Sequence, residues 1–288
     1  MRLSAVAVRL LLLFTTPCIA QSVPAAIFTD PQADAAHPAA MTALQIPTHG
    51  VEINGLIYSP PGAGPHPTLV ICHGLPGNEK NLDLAQAVRR AGWNAVTFNY
   101  RGSWGSPGTF RFAQNIEDAN AVLAYLRDPA NAARLGVDTK RIAIAGHSMG
   151  GWVTVHTAAH DHALIGAILI SAADMGAMGS MPREKAVARM AENKQGLAGA
   201  TAESMADEII ANAKAFGFST AVDGMATTPL LVLSADDGLA PMTDALVKAV
   251  EAKGNKRVTA IHAATDHSWS DHRIFLESTI IQWLATLH

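Results

Sequence analysis

A serine flanked by glycines, between a short apolar run and a helical segment, constrains the fold of this chain more than any other feature. The run Arg141–Ala145 (RIAIA) is typical of a buried strand, and residues 150–159 have the pattern of a helix. The motif GHSMGG (residues 146–151) stands between them. A tight strand-to-helix turn needs glycines on both sides, because a Cβ there would collide with neighbouring backbone. The motif predicts that a strained turn holds the Ser148 hydroxyl above the strand ends, near a helix N-terminus.

Short apolar strands alternate with helix-length segments along most of the chain. The predicted strands are Val51–Tyr58 at a sheet edge, Thr68–Cys72, Ala95–Asn99, Arg141–Ala145, Leu164–Ile170, Leu230–Leu233 and Arg257–Ile261. The predicted helices are Leu82–Ala91, Ile116–Leu126, Gly150–Ala159, Thr243–Ala252 and Ile274–Leu287. This alternation predicts an α/β fold, with a mostly parallel, doubly wound sheet and helices on both faces.

Residues 171–228 interrupt this alternation because they contain no convincing strand. Two helical stretches, Arg183–Lys194 and Ala202–Phe216, fall within them. An insertion of this length between two core strands predicts a small helical cap. We expect the cap to cover the active site and to set substrate choice. Its apolar wall would include Met178 and Phe218, and four glycines would let parts of it move, namely Gly176, Gly179, Gly196 and Gly199.

The N-terminus has the pattern of a secretory signal. Arg2 and Arg9 flank an apolar stretch, and Cys18-Ile19-Ala20 places small residues where a signal peptidase cuts. We therefore predict a signal peptide over residues 1–20, a flexible tail over 21–47, and a single domain over 48–288. Such a protein would be periplasmic or secreted. An uncleaved anchor and lipidation at Cys18 are the alternatives.

Composition limits the kinds of partner. The formal net charge is −3, only 16% of residues are charged, and no long run of one charge occurs. These values argue against nucleic acid or an anionic membrane surface as a partner, and against membrane insertion once the signal is removed. Signal cleavage would leave Cys72 as the only cysteine, so the domain would have no internal disulfide. The sequence leaves the oligomeric state open.

A serine hydroxyl becomes a useful nucleophile only when a base takes its proton and a third group orients that base. In folds with such a turn, the acid and then the histidine follow the serine along the chain. The segment SADDGLAP (residues 234–241) offers Asp236 or Asp237 as the acid, and we favour Asp237. The segment TDHSW (residues 265–269) offers His267 as the base, with His272 as the second choice.

Two backbone N–H groups are candidates for stabilising an oxyanion. The loop HGLPG (residues 73–77) follows the predicted strand TLVIC, beside the expected position of the nucleophile. The Leu75 N–H and the Met149 N–H are the candidate donors. Arg101 and Trp104 also follow a strand end, where they would either shape the pocket mouth or form a structural turn.

No metal or other cofactor is expected. His156 and His160 have helical i, i+4 spacing and His162 lies nearby, but no glutamate follows His156 as in the H-E-x-x-H pattern of zinc enzymes. A packed or partly exposed histidine cluster is the simpler interpretation.

The chain from about residue 48 to its end resembles the α/β-hydrolase superfamily. The resemblance rests on HGLPG, YRGSWGSPG, GHSMGG, SADDGLAP and DHSW, in the order and spacing of that superfamily. It implies Asp237 as the acid, four residues before Pro241, and His267 as the base in a D-H-x-aromatic setting. The chain looks most like exported esterases related to prolyl oligopeptidase and dienelactone hydrolase domains. Dienelactone hydrolases use a cysteine where this chain has Ser148, so their substrate is not carried over.

The sequence thus predicts a serine hydrolase that cleaves a small-molecule carboxylic ester through an acyl-enzyme. A first alternative is a peptidase or amidase that acts on short peptides with the same triad. It would need a group that recognises a peptide terminus, and the cap offers Arg183, Glu184, Asp207 and Glu208. A second alternative is a non-catalytic binding protein on a hydrolase scaffold.

Overall fold

A computed structural model describes residues 23–287 of the chain. The predicted signal peptide lies outside the described residues. No helix in the described part is both long enough and apolar enough to cross a bilayer.

Eight strands and nine helices form the described part. The strands are β1 (Ala40–Thr48), β2 (Val51–Ser59), β3 (His66–Cys72), β4 (Asn94–Phe98), β5 (Val137–His147), β6 (Gly166–Ile170), β7 (Leu230–Ala235) and β8 (Val258–Ala263). The helices are α1 (Leu82–Arg90), α2 (Phe112–Arg127), α3 (Pro129–Leu135), α4 (Met149–His160), α5 (Met175–Met178), α6 (Arg183–Glu192), α7 (Ala202–Ala211), α8 (Ala240–Ala252) and α9 (Arg273–Leu284).

All eight strands belong to one sheet, in the order β1-β2-β4-β3-β5-β6-β7-β8. Strands β1, β2 and β4 pair antiparallel, whereas every pair from β4 through β3 to β8 is parallel. The inner strands are apolar runs buried on both faces, as a parallel sheet covered by helices requires. One core packs the sheet against α2 and α4, and a second packs it against α1 and α9. The predicted α/β-hydrolase architecture is confirmed.

The predicted N-terminal boundary is wrong. Residues 40–47, which we assigned to a flexible tail, form most of β1, and Val51–Tyr58 is an inner strand rather than the sheet edge. In β1 the side chains of Leu44, Ile46 and Thr48 alternate into the core. Alanine and proline obscure this short period-two pattern, and the strand is stabilised mainly by its pairing with β2.

The segment between β6 and β7 contains only helices and turns. Helices α5, α6 and α7 pack against the side of the domain that carries α2 and α4. The Glu208 carboxylate accepts hydrogen bonds from the N–H groups of Phe112 and Ala113, which begin α2. The Trp152 indole in α4 donates to Phe216 O at 2.7 Å. These helices are therefore continuous with the main core of the domain.

The cap glycines are sites of close packing. A Cβ on Gly196 would lie 2.8 Å from the Trp104 ring, and one on Gly179 would lie 2.2 Å from Ile209 O. Gly176 and Gly199 are also crowded. Glycine at these positions lets the backbone approach its neighbours, and the expected hinge role stays a prediction.

Candidate active site

The Ser148 turn joins β5 to α4 in a strained conformation. Ser148 has φ 56° and ψ −120°, and its N–H donates to Ile170 O at 2.9 Å. A Cβ on Gly146 would lie 2.0 Å from Gly150 O, and a Cβ on Gly150 would lie 2.1 Å from Cys72 O. Only glycine fits at either position, because backbone atoms occupy the space that a side chain would need. The turn therefore has the geometry that the sequence motif predicted.

The loop after β3 lies directly against this turn. A Cβ on Gly74 would lie only 3.0 Å from the Ser148 Cβ. The next N–H, that of Leu75, has no acceptor among the residues that the structure describes. Met149 is the first residue of α4, where backbone N–H groups have no partner within the helix. Two N–H groups beside Ser148 are thus available to an oxyanion.

Asp237 and His267 form a hydrogen-bonded pair. Asp237 follows β7, and its Oδ2 lies 2.8 Å from His267 Nδ1, while its Oδ1 accepts from Leu239 N–H at 2.9 Å. The Asp237 side chain is 3% exposed and that of His267 is 40% exposed. Burial raises the pKa of Asp237, but hydrogen bonds from His267, Leu239 N–H and Ser171 outweigh burial and hold that pKa below its ordinary value. The carboxylate is therefore ionised at neutral pH.

The alternative acid and base have other partners. Asp236 Oδ1 lies 2.9 Å from Nε2 of His262 on β8, and both side chains are exposed. His272 pairs with its neighbour Asp271 at 2.9 Å. The structure thus brings together Asp237 and His267, which the sequence favoured.

His147 was not singled out from the sequence, although it directly precedes Ser148. Its Nε2–H donates to the backbone carbonyl of His267 at 2.8 Å, and the centroids of the two imidazole rings are 4.7 Å apart. Burial lowers the pKa of His147 to about 4, so its ring is neutral near pH 7. This contact holds the His267 loop beside the nucleophile turn.

Two more buried side chains support Asp237. The Trp269 indole N–H donates to Ser171 Oγ at 3.0 Å, and Ser171 is close enough to Asp237 to lower the pKa of its carboxyl group. Ser171 is anchored by its own N–H, which donates to Leu233 O at 2.8 Å. The sequence did not predict the contact between Trp269 and Ser171. The available clue was a polar residue immediately after the buried strand β6.

The Ser148 hydroxyl makes no hydrogen bond to another residue of the described part, His267 included. In enzymes without a ligand, the contact between nucleophile and base is often long and shortens when substrate binds. The contact of His147 holds the backbone of His267, and the contact of Asp237 holds the Nδ1 side of its ring. The remaining ring nitrogen, Nε2, makes no hydrogen bond within residues 23–287.

Arg101 and Trp104, the two residues considered in the YRGSWGSPG segment, have different contacts. Arg101 is buried against Asp118, with Nε 2.6 Å from Oδ1, and also contacts Glu117. Arg101 is therefore part of a structural turn. Trp104 instead donates its indole N–H to Pro76 O at 2.7 Å, and its own N–H donates to Gly196 O in the cap. Trp104 thus links one edge of the cap to the loop that carries Leu75.

Met178 and Phe218, which we expected in an apolar wall of the active site, are buried in the main core. Their side chains contribute to the packing of the cap onto the domain. The edge of the cap near Trp104 is the part that borders the loop carrying Leu75.

Replacing Arg101 with methionine is expected to lower the free energy of unfolding by about 3–5 kcal/mol, because Asp118 would lose its buried countercharge. The Asp118 side chain is 0% exposed, so water cannot replace the guanidinium. The matched control is Arg183→Met, because Arg183 pairs bidentately with Asp207 at the surface. That exposed pair should contribute much less to stability than the buried one. Urea unfolding of both variants measures the difference, and equal losses would contradict the assignment.

Several of the remaining histidine and charged candidates have other partners. His156 Nε2 donates to Phe216 O, and His160 Nδ1 donates to His156 O. No group of three or more potential metal ligands occurs within residues 23–287. In the cap, Arg183 and Asp207 bind each other.

Comparisons with protein families and with solved structures point to the same fold. The family model described as "Alpha/beta hydrolase family" matches residues 69–277. Among solved structures, the thermostable carboxylesterase EstE1, cloned from a metagenomic library, aligns with a TM-score of 0.64 and 21% identity over 91% of this chain and 92% of its own. The acylaminoacyl peptidase of Pyrococcus horikoshii aligns with a TM-score of 0.68 and 16% identity, over 86% of this chain and 41% of its own. At sequence identities this low, the structural similarity to these two proteins shows a shared fold alone.

Curated relatives match over a shorter region. An uncharacterized protein of Mycobacterium tuberculosis is 29% identical over 126 residues, which is 43% of this chain and 43% of the relative. The quorum-quenching protein AidA of Acinetobacter baumannii is 30% identical over 137 residues, which is 46% of this chain and 43% of the relative. The chain therefore matches less than half the length of these relatives.

Proposed function

Because the chain belongs to the alpha/beta hydrolase family, we propose that it is a serine hydrolase that cleaves a carboxylic ester through an acyl-enzyme intermediate. The pairing of Asp237 with His267, held by His147 beside the Ser148 turn, is the observation that supports this proposal most. The same geometry makes a purely binding role the weaker alternative, since binding alone needs no oriented imidazole.

Each residue has a distinct role in the proposed reaction. Ser148 Oγ attacks the ester carbonyl while His267 Nε2 takes its proton, and the imidazolium then gives that proton to the leaving alcohol. Water attacks the acyl-enzyme by the same route and releases the acid. Asp237 fixes the tautomer of His267 and stabilises its charged form. The N–H groups of Leu75 and Met149 stabilise the negative oxygen of each tetrahedral intermediate.

Cleavage of short peptides is the second candidate, because one structural neighbour is an acylaminoacyl peptidase. Three of the four groups expected to recognise a peptide terminus have other partners. Arg183 and Asp207 neutralise each other, and Glu208 binds the N-terminus of α2. We also propose, from the N-terminal sequence alone, that the protein is exported to the periplasm or the medium.

The proposal is tested with a fluorophosphonate and two chromogenic substrates. We expect stoichiometric labelling of Ser148, and hydrolysis of a nitrophenyl ester in preference to an aminoacyl anilide. Peptide mapping of the labelled protein identifies the modified residue. A protein that is not labelled would refute nucleophilic catalysis, whereas faster anilide cleavage would favour the peptidase.

A further inference from the structure

An open cavity of about 290 Å³ lies between the β1–β2 hairpin and the start of α1. We call it the Lys80 pocket; its polar lining includes Gln45, Asn54, Lys80 and Asn99, and its apolar lining includes Leu56 and Leu82. Lys80 comes from the loop after β3, and Asn99 directly follows β4. The pocket is therefore at the carboxyl end of the parallel strands, the edge where α/β proteins bind ligands.

Lys80 is a half-buried cation without a countercharge. Its Nζ donates to Asn99 Oδ1 at 2.8 Å and lies 5.2 Å from the centroid of the Trp104 ring, and both of these partners are neutral. Burial lowers the pKa of Lys80. No ion pair of the described residues includes Lys80. A charge removed from water is costly unless an opposite charge meets it.

The acidic residues next to Lys80 in sequence have other partners. The Glu79 carboxylate accepts from Asn81 N–H, and Asp83 binds the Arg273 guanidinium through both of its oxygens. Neither carboxylate serves as the counterion of Lys80.

The other residues that line the Lys80 pocket supply hydrogen-bond donors and an apolar surface. Gln45 Nε2 donates to Asn54 Oδ1 at 3.0 Å, which orients the Asn54 amide and leaves its NH2 group without an acceptor in residues 23–287. None of the lining residues is acidic. Leu82 is 43% exposed next to these donors. An ammonium and an amide NH2 beside an exposed leucine match an oxyanion attached to a short hydrocarbon chain.

We propose that the Lys80 pocket binds a small amphiphilic organic acid, a carboxylate or a phosphate monoester. The oxyanion contacts Lys80 Nζ and the Asn54 amide, and the hydrocarbon chain lies on Leu82 and Leu56. The serine, acid and base of the proposed hydrolase do not line this pocket, so binding there can be measured independently of their chemistry.

Titration followed by ¹⁵N NMR tests the proposal, because the side-chain amides of Gln45 and Asn54 report on the pocket itself. The probes are hexanoate, hexyl phosphate and, as a neutral control, hexanol. We expect saturable shifts of these amide signals with at least one of the two anions and none with hexanol. The anion that binds more tightly identifies the headgroup.

Two lysine variants separate a specific site from general charge attraction. Lys80→Gln should weaken binding of the anion by about tenfold or more, the usual effect of losing a charge-assisted hydrogen bond. Lys248→Gln removes the same charge from an exposed position on α8 and should leave the affinity unchanged. Absence of saturable shifts, equal binding of hexanol, or an unchanged affinity in Lys80→Gln would each overturn the proposal. A Ser148→Ala protein should bind the probe normally, so loss of hydrolysis and loss of this site are distinguishable.

Discussion

Replacing Ser148 with alanine is expected to reduce the turnover of a nitrophenyl ester by at least about ten-thousandfold, because no other group can form the acyl-enzyme. The proposed oxyanion donors are backbone N–H groups and survive the substitution, so a small residual rate above that in water is expected. Steady-state assays of kcat and KM measure the loss, which should appear almost wholly as a lower kcat.

The same variant should remain folded. The Ser148 hydroxyl makes no hydrogen bond within the described residues, so its removal breaks no contact of the core. We expect the free energy of unfolding to change by less than about 0.5 kcal/mol. Fluorophosphonate labelling should disappear at the same time. A folded Ser148→Ala protein with near wild-type turnover would exclude Ser148 as the nucleophile.

The Ser148 turn could be predicted from sequence because its requirements are local. The close approach of Gly146 to Gly150 and of Gly150 to Cys72 excludes side chains there, so the glycines mark the turn. The order of serine, acid and base along the chain then limits the search for partners. This kind of reasoning limited the acid to Asp236 or Asp237, with Asp237 favoured, and gave His267 as the base.

The groups that support this pair could not be predicted, because their contacts join distant parts of the chain. His147 contacts His267 across 120 residues, and Trp269 contacts Ser171 across 98. Strand β1 was missed for a related reason, since its stability comes from pairing with β2. The cap helices were predicted, but their packing against α2 and α4 depends on contacts such as that of Glu208 with the start of α2.

The choice between Asp236 and Asp237 also needed the structure, since both follow β7 directly. Ser234 in β7 and Asp236 both contact His262 on β8, whereas Asp237, the next residue of the turn after β7, hydrogen-bonds His267. This separation of two adjacent carboxylates provides a matched pair of variants.

Asp237→Asn is expected to reduce kcat by about ten-thousandfold with little change in KM. The asparagine amide cannot stabilise the imidazolium, and it favours the tautomer of His267 that carries its proton on Nε2 and so cannot accept one from Ser148. Asp236→Asn removes the same charge one residue earlier, from a side chain that is 64% exposed and bound only to His262. It should change kcat by less than about threefold, because an exposed ion pair contributes little. Both variants are measured on one nitrophenyl ester at the same pH, with unfolding monitored in urea. If the larger loss fell on Asp236→Asn, Asp236 would be the acid and the hydrogen bond of Asp237 to His267 would not be the catalytic contact.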